Sequence, residues 1–379
     1  MSSEDKQKYC LMAYVMLAVS LAEKFNEQPY GFRRVLVTHV RANIQHRIMA
    51  KKMVDVYFDD AHEKFGRMLR EQGYDSEAEK FQIKVLDARS KTLGGKHPDT
   101  ISAIHFLAGT YWSLGKYADA KHLQIQVLRL RGRYLGKEHP DTIWAMGNLA
   151  ITYQSLGKYV DAEELETRVL DMRNRLLGEN HSDTITAMNN LAITYQSLGK
   201  YGDAEKIQVE VLDLRNRILG EDHSDTITAM NNLANTYESL GKYECAEKLK
   251  IQVLKMRNRL LGEEHPDTIT AMSNLAITYQ SLGKYADAEE IQVKVLDLRN
   301  EILGKEHSDT INIMENLAIS FYHQQKYNDA DRLEAQVVEV RKKIFGEGHP
   351  KTAKAVALLA EIRSQAKRFT SETESSEFI

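Results

Sequence analysis

The feature that most constrains this chain is a regular recurrence of histidine. His97, His139, His181, His223, His265, His307 and His349 follow one another at steps of 42 residues. Similar text follows each. The dozen NLAITYQSLGKY occurs letter for letter at 148–159, 190–201 and 274–285, and as NLANTYESLGKY at 232–243. A fixed period of this length means one supersecondary unit used many times, each copy burying its apolar face against the next. Six full copies fill residues 97–348. A degenerate copy precedes them at 55–96, and a truncated one follows at 349–369.

Within a block, positions are counted from its His as zero. Apolar residues fall at 4, 7, 10, 11, 14 and 17, as in Ile185, Met188, Leu191, Ala192, Tyr195 and Leu198. Steps of three and four predict an amphipathic helix, which Gly199 ends. A second series runs through Tyr201, Ala204, Ile207, Val211, Leu212 and Leu219 to Gly220, and predicts a second helix. Pro140 and Pro266 sit at a first-turn position. Asp183 and its equivalents place negative charge where the helix dipole favours it. Each block is therefore a helix–turn–helix, and the chain is expected to be an all-α solenoid. The truncated copy reads as a capping helix with Lys354, Glu361 and Arg363 outward. Residues 370–379 read as a disordered tail, and residues 1–54 as a helical segment or linker.

Composition removes several function classes. Basic and acidic residues number 51 and 54, so the broad positive field of a nucleic-acid binder is missing. The apolar run at 9–22 has 14 residues, short of the ~20 that span a bilayer; its two readings are a buried terminal helix and a signal-peptide core. Two lone cysteines, Cys10 and Cys245, make no disulfide framework and point to a reducing, cytoplasmic compartment. No P-loop, nucleophile elbow, HExxH or paired CxxC appears. Residues capable of chemistry recur in nearly every block, which speaks for architecture. The reading is a non-enzyme with no cofactor or metal. Equivalent histidines lie at least a helix spacing of about 8–10 Å apart, too far to share a zinc ion, so the His row is assigned to packing at the helix start.

The pattern Leu-Ala-x-x-Tyr, then Gly-Lys-Tyr, then Ala three residues on, resembles the tetratricopeptide repeat. Its 42-residue form, with HPDT, NLA, LGKY and a closing LG, is similar to the repeats of kinesin light chains and, more closely, of fungal nucleotide-binding innate-immunity-type receptors. The resemblance covers residues 55–369. It implies a right-handed superhelix whose first helices line a concave groove. One departure stands out. Four residues after the second-helix Ala, where ordinary repeats of this family carry a large residue, stand Gln124, Glu166, Gln208, Lys250, Gln292 and Glu334. Packing there must use hydrogen bonds or be partly wet.

At about 100° per residue, the face opposite the buried stripe of the first helix holds positions 5, 9, 12 and 16. Position 9 is Asn148, Asn190, Asn232, Asn274 and Asn316; Asn is a poor helix former. The amides read either as a ladder for a bound peptide backbone, as the resemblance implies, or as bonds to a neighbouring helix. Position 12 is Ile151, Ile193, Ile277 and Ile319, with Gly109 and Asn235 as exceptions. This row reads as an apolar contact strip, or as residues partly buried between first helices. Trp112, Trp144 and Tyr322 are candidate anchors. Glu238 replaces Gln at position 15 in the fourth copy and is placed with the groove. Arg89, Arg131, Arg173, Arg215, Arg257, Arg299 and Arg341 recur at position 34 and are expected to pair with carboxylates such as Asp141 and Asp183. The basic cluster Arg33, Arg34, Arg41, Arg47, Lys51 and Lys52 reads as a solvated face or an inter-domain contact.

The functional expectation is a protein-interaction scaffold that takes a peptide or protein segment in its groove, without nucleic acid or membrane. Two alternatives remain at this point. One is the sensor or oligomerisation arm of a larger nucleotide-binding receptor, with self-association. The other is a kinesin-light-chain-like cargo adaptor, which would need a heptad coiled coil that residues 1–54 do not show.

Overall fold

The computed structural model describes residues 59–376 and Thr38, with side chains over 62–369. Apart from Thr38, the segment 1–58, with its apolar run and basic cluster, lies outside the described residues, as do 377–379. Fifteen helices and no strand occur among the described residues. The chain divides into two compact units, residues 1–198 and 199–379.

Unit one holds α1 (Asp59–Glu71), α2 (Asp75–Thr92), α3 (Pro98–Ser113), α4 (Tyr117–Tyr134), α5 (Pro140–Ser155), α6 (Tyr159–Leu177) and α7 (Ser182–Ser197). Unit two holds α8 (Tyr201–Leu219), α9 (Ser224–Ser239), α10 (Tyr243–Leu261), α11 (Pro266–Ser281), α12 (Tyr285–Ile302), α13 (Ser308–His323), α14 (Tyr327–Phe345) and α15 (Pro350–Ser376). Within each unit a helix packs mainly on its neighbours in sequence. This is the all-α solenoid fold that the period predicts.

Local signals set the helix ends. In each of the six full blocks the His is the N-cap of the first helix. Its Nδ1 accepts the backbone N–H two residues on, at 3.1 Å for His181, His223 and His265 and up to 3.3 Å for His97. His349 does the same for Lys351 at 3.2 Å. The ring thus satisfies one of the orphan donors of the first turn. The first helix ends in a Schellman turn. In α5 the Gly157 N–H returns to the Gln154 carbonyl at 2.9 Å and the Lys158 N–H to the Tyr153 carbonyl at 2.8 Å. That turn needs positive φ, and Gly157 stands at +70°. At the equivalent place after α13 the chain uses Gln325, at φ +62°.

The apolar stripes meet as the spacing predicts. In unit one Ile143 and Met146 of α5, Val169 of α6 and Ala187 of α7 form one cluster. In unit two Ile269 and Met272 of α11, Val295 of α12 and Ile313 of α13 form its counterpart. Full burial of each Ile, Met or Val is worth about 1.5–3 kcal/mol, so every block depends on the next. The Lys of the Gly-Lys-Tyr turn ties one block to the preceding one. Lys116 bonds Glu79, Lys242 bonds Glu205, Lys284 bonds Glu247 and Lys326 bonds Glu289, each at 2.7 Å.

Two expectations are corrected. The Arg row bonds the backbone of the next block, not its carboxylates. Arg131 reaches the Asp141 carbonyl at 3.1 Å, and Arg173 the Asp183 carbonyl at 2.7 Å. The Asp residues are exposed, while each guanidinium lies behind the helix start, where the main chain is nearer. The second concerns the tail. The helix α15 continues to Ser376, into the stretch read as disordered; residues 351–376 contain no Gly or Pro to stop it. Lys354, Glu361 and Arg363 are exposed on α15, and the last two bond Tyr322 and Asp331.

Candidate functional site

The polar residues four after the second-helix Ala are all interior. Gln124, Glu166, Gln208, Lys250, Gln292 and Glu334 are each at most 6% exposed. A buried polar group without a partner is costly, so the neighbouring positions are polar too. Position 13, a Thr or Ser, is buried in α3, α5, α7, α9, α11 and α13. Position 15 is half-buried in α5, α7, α9 and α11. In unit one Gln154 donates to Glu166 Oε1 at 2.9 Å and also to the hydroxyl of Thr194. In unit two Thr236 donates to Gln208. Ser320 donates to Gln292 at 2.8 Å and accepts from Gln280 at 2.8 Å. A hydrogen-bonded layer therefore replaces the large residue expected of the family.

This layer explains Glu238. The residue is not spare for a ligand, because its carboxylate lies 2.6 Å from the ammonium of Lys250 and accepts from Thr278. The two departures of that block, Glu for Gln at position 15 and Lys for Gln at position 27, are one compensated exchange. Placing Glu238 in the groove is thus corrected. The Thr of the repeated dozen belongs to the interior as well.

The layer also holds groups with displaced proton affinities. Burial pushes the Glu166 carboxyl up to about 7, against the hydrogen bond of Thr194 that favours the charged form. Burial and the nearby Glu315 push Glu334 up to about 8, against the pull of Arg341 and Lys354. Glu315 is itself held by Arg341 through two contacts, at 3.1 and 2.8 Å. His105 is lowered to about 4 by burial and by Arg131 and Arg70, so it stays neutral.

The Asn row is half-buried throughout, and its members differ in partners. Asn274 donates to Asn231 at 3.4 Å, a bond to a neighbouring helix. The side chains of Asn148 and Asn190 bond no described residue. Asn232 and Asn316 are half-buried in α9 and α13, and Asn235 likewise in α9. Ile151, Ile193 and Ile319 are half-buried, and Ile277 is 41% exposed. At Gly109, which stands in place of Ile, the Arg70 guanidinium fills the space, 2.4 Å from where a Cβ would stand.

Trp144, 45% exposed, has His105 against its ring at 4.1 Å between centroids and the Arg131 guanidinium 5.8 Å away. Trp112, 39% exposed, donates to Ser155 at 3.0 Å. Tyr322 is half-buried and donates to Glu361 of α15 at 3.1 Å, which ties it to the cap.

Four expected site residues come together in unit one. Trp144, Asn148, Ile151 and Asn190 line a pocket of about 120 Å³ between α5, α6 and α7. Glu166, Arg173 and Gly147 line it too; neither Gly147 nor Glu166 was foreseen there. A signal was present, because position 8 is His105, Asn189, Asn231, Ser273 and Glu315 in the other blocks and Gly only at 147. Among the described residues no three His, Cys, Asp or Glu side chains gather as metal ligands, and no helix is long and apolar enough to cross a membrane. Cys245 is an exposed free thiol.

Comparison with known proteins agrees with this architecture. The tetratricopeptide repeat profile matches residues 59–131, 101–175, 167–216, 183–259, 225–301 and 278–343. No curated protein matches the sequence. Among solved structures, a kinesin-light-chain-type protein of Podosopora anserina with nearly identical TPR-like repeats is 25% identical. That match covers 55% of this chain and 99% of that one, with a TM-score of 0.50. BtubC (BKLC) of P. vanneervenii is 20% identical over 62% of this chain and 94% of its own, with a TM-score of 0.52. A STAND-class signal transduction ATPase with a tetratricopeptide repeat sensor, from Pyrococcus horikoshii, is 13% identical. It covers 96% of this chain, which spans 62% of it, with a TM-score of 0.57.

Proposed function

Because this chain belongs to the tetratricopeptide repeat family, a scaffold typical of protein–protein interaction, we propose that it is a non-catalytic module that binds a peptide or protein segment along the outer faces of its first helices. The observation that carries this reading is the surface shared by Trp144, Asn148, Ile151 and Asn190. Two amides without internal partners stand beside an aromatic and an aliphatic side chain. Amides on such a face can bond an extended backbone, and the apolar neighbours supply contact area.

The test is affinity capture with wild type and with Asn148→Ala combined with Asn190→Ala. The double variant should keep its helical content, since neither amide supports the fold. It should lose proteins that the wild type retains. An unchanged set of retained proteins, at unchanged affinity, refutes the groove reading.

A further inference from the structure

In the block that begins at His139 two features meet in space: a position 8 with no side chain, and a carboxylate at position 27 that among the other full blocks only Glu334 repeats. Position 8 is Gly147, where the other blocks place a larger side chain. No atom lies within 4 Å of where a Cβ of Gly147 would stand. In the block of α13 and α14 the same position is Glu315, whose carboxylate grips Arg341. In the block of α11 and α12 it is Ser273, which accepts from Arg299 at 3.3 Å. Gly147 offers Arg173 no such group. Arg173 bonds only the Asp183 carbonyl among the described residues, through one nitrogen, and its remaining donors have no partner.

The second feature is Glu166. Its side chain is 3% exposed, and Oε1 accepts from Gln154. Oε2 is buried without any partner, and the residue lines the pocket that Gly147 leaves open. No ion pair joins Glu166 to Arg173. The pocket is therefore lined by a guanidinium with unbonded donors and by a buried carboxylate, one oxygen of which has no partner. Its volume of about 120 Å³ is enough for a side chain.

We propose that this pocket receives the primary carboxamide of a Gln or Asn side chain from the bound segment, its carbonyl accepting from Arg173 and its N–H donating to Glu166 Oε2. A carboxamide supplies one acceptor and two donors, which matches the two open groups. Above pH about 7 the pocket walls carry one charge of each sign, so a neutral dipolar group fits them without burying a new unpaired charge. A ligand carboxylate would suit Arg173 and be repelled by Glu166; an ammonium would suit Glu166 and be repelled by Arg173. This assignment rests on the groove reading for the remainder of the segment.

The experiment uses the full chain carrying Trp112→Phe, which leaves Trp144 as its one tryptophan. The probes are four blocked pentapeptides, alanines around a central Gln, Glu, Lys or Met, titrated at pH 8, where Glu166 is ionised. The Gln peptide should perturb Trp144 fluorescence saturably and bind roughly ten- to a hundred-fold more tightly than the other three, since each of its bonds is to a charged group. Glu166→Gln should reverse the order of Gln and Glu: Gln154 would claim the new carbonyl oxygen, and the pocket would then present donors only. Gly147→Asn should abolish the response by filling the pocket with the chain's own carboxamide. Equal binding of all four peptides, no response to the Gln peptide, or an unchanged order in Glu166→Gln overturns the proposal. The groove reading is judged separately, by loss of captured proteins in the Asn148 and Asn190 double variant. That loss can occur with the pocket inference refuted, and the reverse holds equally.

Discussion

The exchange of Glu238 and Lys250 gives the sharpest test of the polar layer. The Lys250 side chain is 3% exposed and that of Glu238 is 21% exposed. Glu238→Gln leaves the ammonium with a neutral partner and the Asn274 carbonyl at 3.3 Å. Removing one member of a buried pair costs about 3–5 kcal/mol, and the partial exposure of Glu238 places this case near the lower bound. Lys250→Gln strands a carboxylate that water still reaches in part, so its cost should be smaller, about 2 kcal/mol. The double variant recreates the pairing of types at Gln280 and Gln292, which the fold accommodates with hydrogen bonds. It should fall within about 1 kcal/mol of wild type, giving a coupling energy of several kcal/mol. Both tryptophans lie in unit one, so their fluorescence does not report on this site. Denaturant unfolding followed by circular dichroism, with hydrogen exchange resolved over α9 to α11, reads it directly. Additive single effects, with the double variant as damaged as their sum, would refute the compensated pair.

Two further outcomes follow from particular residues. The folded-state carboxyl of Glu334 is raised from 4.5 to about 8. The folded protein therefore holds a proton that the unfolded chain has released, and this contribution to stability falls as pH rises from about 4.5 to 8. The slope is at most about 1.4 kcal/mol per pH unit. Glu334→Gln should flatten that part of the profile, and an identical pH dependence in variant and wild type contradicts the assignment. Gln325 holds a left-handed conformation at φ +62° where other blocks use glycine; Gln325→Gly should stabilise the turn after α13 by about 1 kcal/mol, read as slower exchange of the Lys326 amide, and destabilisation would count against backbone strain there.

Much of the fold could be read from the period. The spacing of Ile185, Met188, Leu191 and Ala192 specified a helix and its buried face, and the Gly after each series marked its end. Those signals are local, fixed by helix geometry and by the φ that glycine permits. The His row was legible as a feature of the helix start, but the bond from Nδ1 to the amide two residues on is a matter of ring orientation. The Arg row pointed to the correct residues and the wrong atoms, because spacing locates a partner residue and not which of its oxygens is nearer. Glu238 was misread as a groove residue because the helical wheel describes one helix, while its partner lies on another.

By itself, the sequence determined that this chain is a tandem array of helix–turn–helix units and where the apolar stripe of each first helix lies, since 42-residue periodicity leaves each unit dependent on its neighbours for burial. The tertiary structure alone decided which polar groups in that interior remain unpaired. Gly147 and Glu166 stand 19 residues apart on two helices, and each looks like a small deviation from its column. Packed against α7, they line a pocket and leave one carboxylate oxygen without a partner, because hydrogen bonding is satisfied between neighbours in space and not between neighbours in the repeat.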